Sequence, residues 1–351
     1  MRNIIFIALF LIYLCSCSDN SIVIKKNADL YLGLKEYDKA IPLYKKAIQL
    51  DPQYEEAIHN LGKVYEEQGF YEAAINYYTE AIGIDSLYAH AYRSRGYAFY
   101  KLDKLMESIR DYRKSLDIEP KNVSALGNLS YVYELDCDFE NARKYYYKTL
   151  DLDSTRYWDM DDLASIEFDL GNYDTSIALC YKILKYSDEK WDRPHATLAL
   201  SYIGKNLYDS AIVHLNKALE YNPNWCHYYN NRGYSYSCLG NEKEAIKNYN
   251  KAIEINSKDP SYFLNRADSK RFLGFFKDAI VDYDMAIELS KEYEGYNCGI
   301  CYYNRASAKL ELGDRQGYEN DIRSAQDLGY PEKHKQFSNL GEKAKFYNSE
   351  H

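Results

Sequence analysis

The sequence predicts an all-α array of about nine helical hairpins, stacked one on the next as a solenoid. Three observations carry that prediction. A 34-residue pattern runs from about Ser21 to Pro331. Its clearest mark is a small or stiff residue at Ala47, Ala81, Ser115, Thr149, Ile183, Ala218, Ala252, Ala286 and Ala325, at spacings of 34, 34, 34, 34, 35, 34, 34 and 39. A period in this range marks an array whose units bury their apolar faces against their neighbours. Two further small positions keep the same register. One reads Ala28, Gly62, Gly96, Ser130, Ala164, Ala199, Gly233, Ala267 and Ala306; the other, twelve residues on, reads Ala40, Ala74, Ser108, Ala142, Ser176, Ala211, Ala245 and Ala279. Small side chains let two helix backbones approach closely. Between them stand Gly69, Gly171, Gly240, Gly274 and Gly313, each where one helix must stop.

Each unit reads as a helix around the first small residue, a stop, and a second helix around the other two. Unit 1, residues 21–54, carries Ala28, Ala40 and Ala47 with Tyr31 and Tyr44, and closes at Asp51-Pro52. Unit 2, 55–88, carries Gly62, Tyr65, Gly69 and Tyr78; unit 3, 89–122, carries Gly96, Phe99 and Tyr112 and closes at Glu119-Pro120. Unit 4, 123–156, repeats the pattern with Ser130, Tyr133 and Tyr146. Unit 5, 157–190, departs most, with Glu167 and Cys180 at aromatic positions. Unit 6, 192–225, carries Ala199 and Tyr202 and ends at Asn222-Pro223; units 7 and 8, 226–259 and 260–293, restore Tyr249 and Tyr283. Proline cannot extend a helix, so these pairs punctuate the array. Unit 9, 299–332, has Lys309 and Ile322 at aromatic positions and Tyr318 at a small one. Terminal repeats are often atypical because they cap the stack. A five-residue excess around Glu292 to Asn297 predicts a longer loop between units 8 and 9.

Asn231-Arg232-Gly233-Tyr234 through Ala252-Ile253-Glu254-Ile255 closely resemble the tetratricopeptide repeat, a 34-residue helix–turn–helix with this small/aromatic/Pro pattern. The resemblance covers nine units. It implies a right-handed superhelical solenoid over residues 21–332, followed by a cap or tail at 333–351. It also implies that first helices line a concave groove, with a protein or extended peptide segment as partner. The position two before the first small residue reads Asn60, Ser94, Asn128, Asp162, Thr197, Asn231, Asn265 and Asn304. An amide offers donors and acceptors together, so such a ladder suits the main chain of an extended peptide. One after the small residue stand Lys63, Tyr97, Tyr131 and Tyr234, and tyrosine adds contact area at low side-chain entropy. The candidate groove is therefore Asn60, Lys63, Tyr97, Asn128, Tyr131, Asn231, Tyr234, Asn265 and Asn304, joined in unit 5 by Asp161 and Asp162. With Trp158, Phe168 and Asp169, those two acids predict a docking place for a basic or aromatic partner segment. The competing readings are local satisfaction of the amides and inter-repeat packing of the tyrosines. Lys25, His59 and Arg93 fall short of the full carboxylate clamp of other members.

The N-terminus carries a second signal. Arg2 precedes an apolar run from Ile4 to Leu14, then Cys15, Ser16 and Cys17. The run is too short to span a bilayer and has the layout of a secretory signal. Leu14-Cys15-Ser16-Cys17 resembles a bacterial lipobox, in which Cys17 fits better because Leu14 before Cys15 is bulky. That resemblance implies removal of residues 1–16, acylation of Cys17 and a tether at 17–20. More than one acyl chain gives stable anchoring. The implied location is the bacterial cell envelope. Ser18 after the acceptor cysteine points to the outer membrane, with the periplasmic or surface side open.

Little in the chain suggests chemistry. The net charge is −9, and an acidic chain without a basic stripe argues against nucleic acid. Cys298-Gly-Ile-Cys301 is a C-x-x-C at a helix start, but no strand–helix–strand context supports redox catalysis. In an exported protein the pair could close as a local disulfide or stay reduced. Cys226 and Cys238 lie two units from Cys301, too far to share a zinc ion, and Cys137 and Cys180 read as buried small residues at helix-packing positions. Asp151, Asp153, Thr155, Asp159 and Asp162 loosely match a calcium loop, but Arg156 stands where glycine is needed. The seven histidines make no metal spacing. No metal, cofactor or small-molecule substrate is expected. The leading expectation is a noncatalytic, lipid-anchored adaptor that presents its groove to a peptide or protein. The alternatives are a structural subunit of an envelope assembly, using convex face or end repeats, and an enzyme or enzyme accessory using the long loop and Cys298/Cys301.

Overall fold

Two helices joined by three residues recur nine times, in the register that the small residues predict. The computed structural model describes residues 21–187, 190–292 and 298–330. Among them are eighteen helices and no strand. The helices of units 1 to 4 are α1 (residues 21–33), α2 (Tyr37–Leu50), α3 (Glu55–Glu67), α4 (Tyr71–Ile84), α5 (Ala89–Lys101), α6 (Leu105–Ile118), α7 (Val123–Leu135) and α8 (Phe139–Leu152). They are followed by α9 (Tyr157–Asp169), α10 (Tyr173–Tyr186), α11 (Arg193–Gly204), α12 (Tyr208–Tyr221), α13 (Cys226–Cys238) and α14 (Glu242–Ile255). The last are α15 (Pro260–Phe272), α16 (Phe276–Ser290), α17 (Gly299–Glu311) and α18 (Arg315–Asp327). The fold is an all-α tetratricopeptide-type solenoid of about nine hairpins. The chain divides within α9 into an N-terminal body, Met1–Asp159, and a C-terminal body, Met160–His351. The expected leader and tether at 1–20, most of the long loop (293–297) and the tail after Tyr330 lie outside the described residues.

One backbone device makes every hairpin turn. Seven residues after the first small position the chain enters the left-handed region in all nine units. Gly69, Gly171, Gly240, Gly274 and Gly313 do so at φ 75 to 84°, and Lys35, Asp103, Cys137 and Asn206 at φ 58 to 60°. The next N–H then donates to the carbonyl five residues back, at 2.7–3.0 Å, from Glu36 to Tyr31 through Asp314 to Lys309. This closes the helix end as a Schellman motif. Glycine adopts that φ without strain, which is why five of the nine stops were visible as glycines. The other four follow the same geometry because packing of the two helices requires it. Cys137 is thus corrected: it is exposed in a left-handed turn, whereas Cys180 is buried as expected.

Packing explains the ruler. In six of the nine units a tyrosine stands sixteen residues after the first small residue, and at Gly62, Gly96 and Gly233 its ring packs directly against that residue. A Cβ on Gly62 would come within 2.8 Å of Tyr78 Cε1, and one on Gly233 within 2.7 Å of Tyr249 Cε1. Tyr44, Tyr78, Tyr112, Tyr146, Tyr249 and Tyr283 are all fully buried. Their hydroxyls cross to the first helices, where Tyr44 donates to Asp29 at 2.7 Å, Tyr78 to Glu66 at 2.9 Å, Tyr146 to Glu134 at 2.8 Å and Tyr283 to Asp268 at 2.6 Å. In unit 5 the fully buried Cys180 takes the ring's place beside Ala164 and Leu198.

A second device was not read from the sequence. Arg95, Arg232, Arg266 and Arg305 each stand one residue before a first small residue. Each reaches sixteen residues on, to Asp111, Asn248, Asp282 or Asp321, at 2.6–2.9 Å. Each also reaches back to the preceding second helix, at Thr79, Asn216, Asn250 or Asp284. One guanidinium thus staples its own hairpin to the one before. Units 2, 4, 5 and 6 carry the fully buried Leu61, Leu129, Leu163 and Leu198 at the arginine position. Sixteen residues on from these stand Tyr77, Tyr145, Leu179 and His214. Unit 9 keeps the staple despite its departures, and Lys309 joins Arg305 on Asp321 at 2.9 Å.

Within each body, neighbouring first helices touch one another: α3 with α5 and α5 with α7, then α11 with α13, α13 with α15 and α15 with α17. Successive second helices approach less closely. First helices therefore lie on the inner side of each body's bend. One residue after the third small position, eight units carry Ile or Leu, from Ile48 to Ile287. The last described hairpin has Gln326 there, exposed to solvent, as suits the polar outer face of a terminal repeat. Cys298 and Cys301 form a disulfide at the start of α17, buried with Phe263, Leu264 and Tyr283. No described helix is long and apolar enough to cross a membrane.

Candidate binding surface

In the N-terminal body the inner side carries a continuous aromatic surface. Tyr97 on α5 is half-buried, with its ring centroid 6.0 Å from that of Tyr100, one turn on. Tyr131 on α7 is exposed and meets Tyr100 edge-on at 5.7 Å. The Lys101 ammonium stands 5.4 Å from the Tyr97 ring and 4.9 Å from the Tyr100 ring, within cation–π range. Lys63 on α3 is exposed, with Glu67 at 3.9 Å. Asn128 is half-buried and its hydrogen bond meets the Tyr112 hydroxyl, whose pKa burial pushes up. Tyr100 and Lys101 were absent from the candidate set. Their signal is the three- and four-residue spacing from Tyr97, which puts all three on one helix face.

Much of the asparagine ladder is used within the array. Asn60 donates at 2.9 Å to Asp29, the carboxylate that also takes the Tyr44 hydroxyl. Asn304 donates at 2.8 Å to Asp268, which takes the Tyr283 hydroxyl. Asn265 is buried and donates at 3.0 Å to Asn230. Each of these amides binds the first helix of the preceding unit, because the register places it beside a polar residue there. A buried polar group without a partner is costly, so these bonds hold. The open ladder is corrected accordingly: Asn60, Asn265 and Asn304 link units. Asn231 stays half-buried, while Tyr234 is buried, edge-on to Tyr208 at 6.4 Å. His59, between Asn60 Oδ1 at 3.1 Å and Ser94 Oγ at 3.0 Å, is held neutral by burial, its pKa lowered to about 4.

The acidic patch of unit 5 is also corrected. Asp161 is fully buried rather than open to a groove. Arg193, from α11, places Nε 3.0 Å from Asp161 Oδ2 and Nη2 2.9 Å from Asp162 Oδ1, closing both carboxylates. Neither oxygen of Asp161 has a hydrogen bond among the described residues. Burial raises its pKa to about 7, against the pull of Arg193. A carboxyl whose folded pKa lies above its unfolded value loses folded-state stability as pH rises between the two. Asp161→Asn is therefore expected to gain stability over wild type between about pH 4 and 7, by up to about 4 kcal/mol above that window. Thermal unfolding across pH checks this. Lower stability of the variant at pH 8 would mean that the Arg193 pair outweighs the desolvation of Asp161. Trp158 and Asp169 are exposed and Phe168 is buried.

No cluster of three metal-ligating His, Cys, Asp or Glu side chains occurs among the described residues. The hollows lined by Arg113 and its neighbours are open surface features, not enclosed chambers. The fold and this surface define a repeat scaffold that presents extended faces. The chain carries tetratricopeptide repeats: family models for that repeat match residues 28–69, 59–122, 193–224 and 228–259. No curated protein matches the sequence. Among solved structures, YrrB, a TPR protein with an unusual peptide-binding site, is 17% identical, with a TM-score of 0.46 over 51% of this chain and 92% of its own. The first TPR of Spaghetti (RPAP3), bound to the HSP90 peptide SRMEEVD, is 28% identical, with a TM-score of 0.34 over 34% and 95%. MamA is 19% identical, with a TM-score of 0.36 over 70% and 96%. The repeats are identified by the family models and the hairpin geometry, not by these partial superpositions.

Proposed function

We propose that this protein is a noncatalytic adaptor, lipid-anchored through Cys17 in a bacterial cell envelope, that holds a peptide or protein segment on its first helices. The observation that carries the binding role is the Tyr97–Tyr100–Tyr131 surface with Lys101, on the inner side of the N-terminal body. Rigid aromatic rings with polar tips suit recognition of a main chain, and Asn128 beside them adds an amide. Support for the anchor is the apolar run and Leu14-Cys15-Ser16-Cys17.

Crosslinking in cells, with the full-length protein and a Tyr97→Ala/Tyr131→Ala variant, tests the binding role. Loss of two aromatic anchors is expected to weaken partner capture roughly tenfold or more. Partner capture unchanged in the variant would move the function to the convex face or the end repeats, as for a structural subunit of an envelope assembly. Mass spectrometry of the mature N-terminal peptide tests the anchor separately, since an unacylated N-terminus or unchanged membrane retention in Cys17→Ser would overturn it.

A further inference from the structure

The outer side of the N-terminal body carries a cluster of cations in this acidic chain. The expectation of a chain without a basic stripe is corrected on α6, where Met106, Arg110, Arg113, Lys114 and Asp117 follow one another at helical spacing. On α12 and α14 lysines pair locally, Lys217 with Glu220, Lys247 with Glu244 and Lys251 with Glu254. Arg110, Arg113 and Lys114 are exposed and form no ion pair among the described residues. The second position of α2, α4, α8, α10 and α12 is an acid (Asp38, Glu72, Glu140, Asp174 and Asp209); α6 has Met106 there, 68% exposed, and its first-turn acid is the next residue, Glu107.

The stripe is a ridge between two hollows. One, of about 520 Å³, is lined by Tyr92, Arg95, Met106 and Ile109 with the three cations. The other, of about 220 Å³, is lined by Leu116, Pro120, Leu126, Tyr145 and Lys148. Arg113 and Asp117 border both. The larger hollow is walled mainly by apolar surface, the smaller by polar and apolar surface in similar measure, and cations line both. We propose that this ridge is a second docking surface, for an acidic amphipathic helix of a partner protein. Its carboxylates would meet Arg110, Arg113, Lys114 and Lys148, and its apolar residues would fill the hollows beside Met106 and Leu126.

Charge complementarity selects this occupant. Phosphate polymers would leave the apolar surface of the larger hollow unfilled. Tyr145 offers no open face for a base, since it stacks on Tyr133 at 5.6 Å and carries the Lys148 ammonium at 5.0 Å. In an otherwise acidic protein, an unneutralised basic ridge also steers an acidic partner to one place.

The test uses the full chain and a fluorescent 20-residue helical peptide with leucine and glutamate on opposite faces. Binding is read by anisotropy. We expect binding that weakens with added salt and falls roughly tenfold or more in Arg110→Glu/Arg113→Glu/Lys114→Glu. A Tyr97→Ala/Tyr131→Ala variant should bind this peptide as wild type does, which separates the ridge from the inner aromatic surface. If the triple reversal alters the helical signal, Arg113→Gln/Lys114→Gln serves instead, with a smaller loss of the same direction. No binding by wild type, or equal binding by wild type and the ridge variants, overturns the proposal. Ridge-dependent binding of phosphatidylglycerol vesicles or a single-stranded oligonucleotide, with none of the peptide, overturns it as well.

Discussion

Replacing Arg95 with leucine is expected to destabilise the N-terminal body by about 3–5 kcal/mol. The side chain itself is half-buried, but its partner Asp111 is buried and takes two bonds from it, at 2.6 and 2.9 Å. Without the guanidinium, a carboxylate remains in the interior with its strongest partner gone. Thr79 loses its bond at the same time, loosening the contact with the preceding hairpin. The double variant Arg95→Leu/Asp111→Tyr should recover most of the loss. Units 2 and 4 already use that combination, with Leu61 and Tyr77, and Leu129 and Tyr145. Urea unfolding of the three proteins checks both statements. A double variant as unstable as the single one would mean that the charged staple cannot be exchanged for the apolar pair in this unit.

Tyr283→Ala is expected to cost about 3–5 kcal/mol in the C-terminal body, through the cavity left by a fully buried ring. The ring packs with Phe263, Ala267, Ala286, Cys298 and Cys301. Its hydroxyl donates to Asp268 at 2.6 Å and accepts from Arg271 at 3.3 Å. Tyr283→Phe keeps the ring and removes only these bonds, so its cost should be about 1–3 kcal/mol. Asp268 retains the Asn304 amide in that variant, which limits the loss. Equal costs for the two substitutions would place the energy in the polar network rather than in the ring's volume.

The hairpins were legible because each needs a local pattern that survives reading in one dimension. Small residues at Gly62 or Gly233 and the rings of Tyr78 and Tyr249 recur at fixed spacing. The helix stops were legible only where glycine marks them. Asp103 and Asn206 are types that tolerate the left-handed turn, but Lys35 and Cys137 adopt it with no compositional sign, and the reading of Cys137 as buried failed for that reason. The arginine staple did leave a trace in the sequence. Arginine goes with an acid or amide sixteen residues on, leucine with an apolar or aromatic side chain, and the pairing shows only when units are compared with one another.

The inner surface divides along a similar line. Periodicity placed Tyr97, Asn128 and Tyr131 on first helices, and spacing alone could have added Tyr100 and Lys101. What spacing could not decide is which polar groups are already occupied. Asn60, Asn265 and Asn304 bind side chains from a neighbouring unit 31 to 36 residues away, and Arg193 covers Asp161 and Asp162 from the next hairpin.

The sequence by itself determined the repeat, the hairpin and the side of each helix that packs, because these follow from helical period and side-chain volume within about one unit. Only the tertiary structure decided which amides, acids and cations remain open to a partner. Stacking brings separate units side by side, and each polar group is either satisfied there or left facing solvent. At α6 it left Arg110, Arg113 and Lys114 exposed without ion pairs; at α9 it buried Asp161 beneath Arg193.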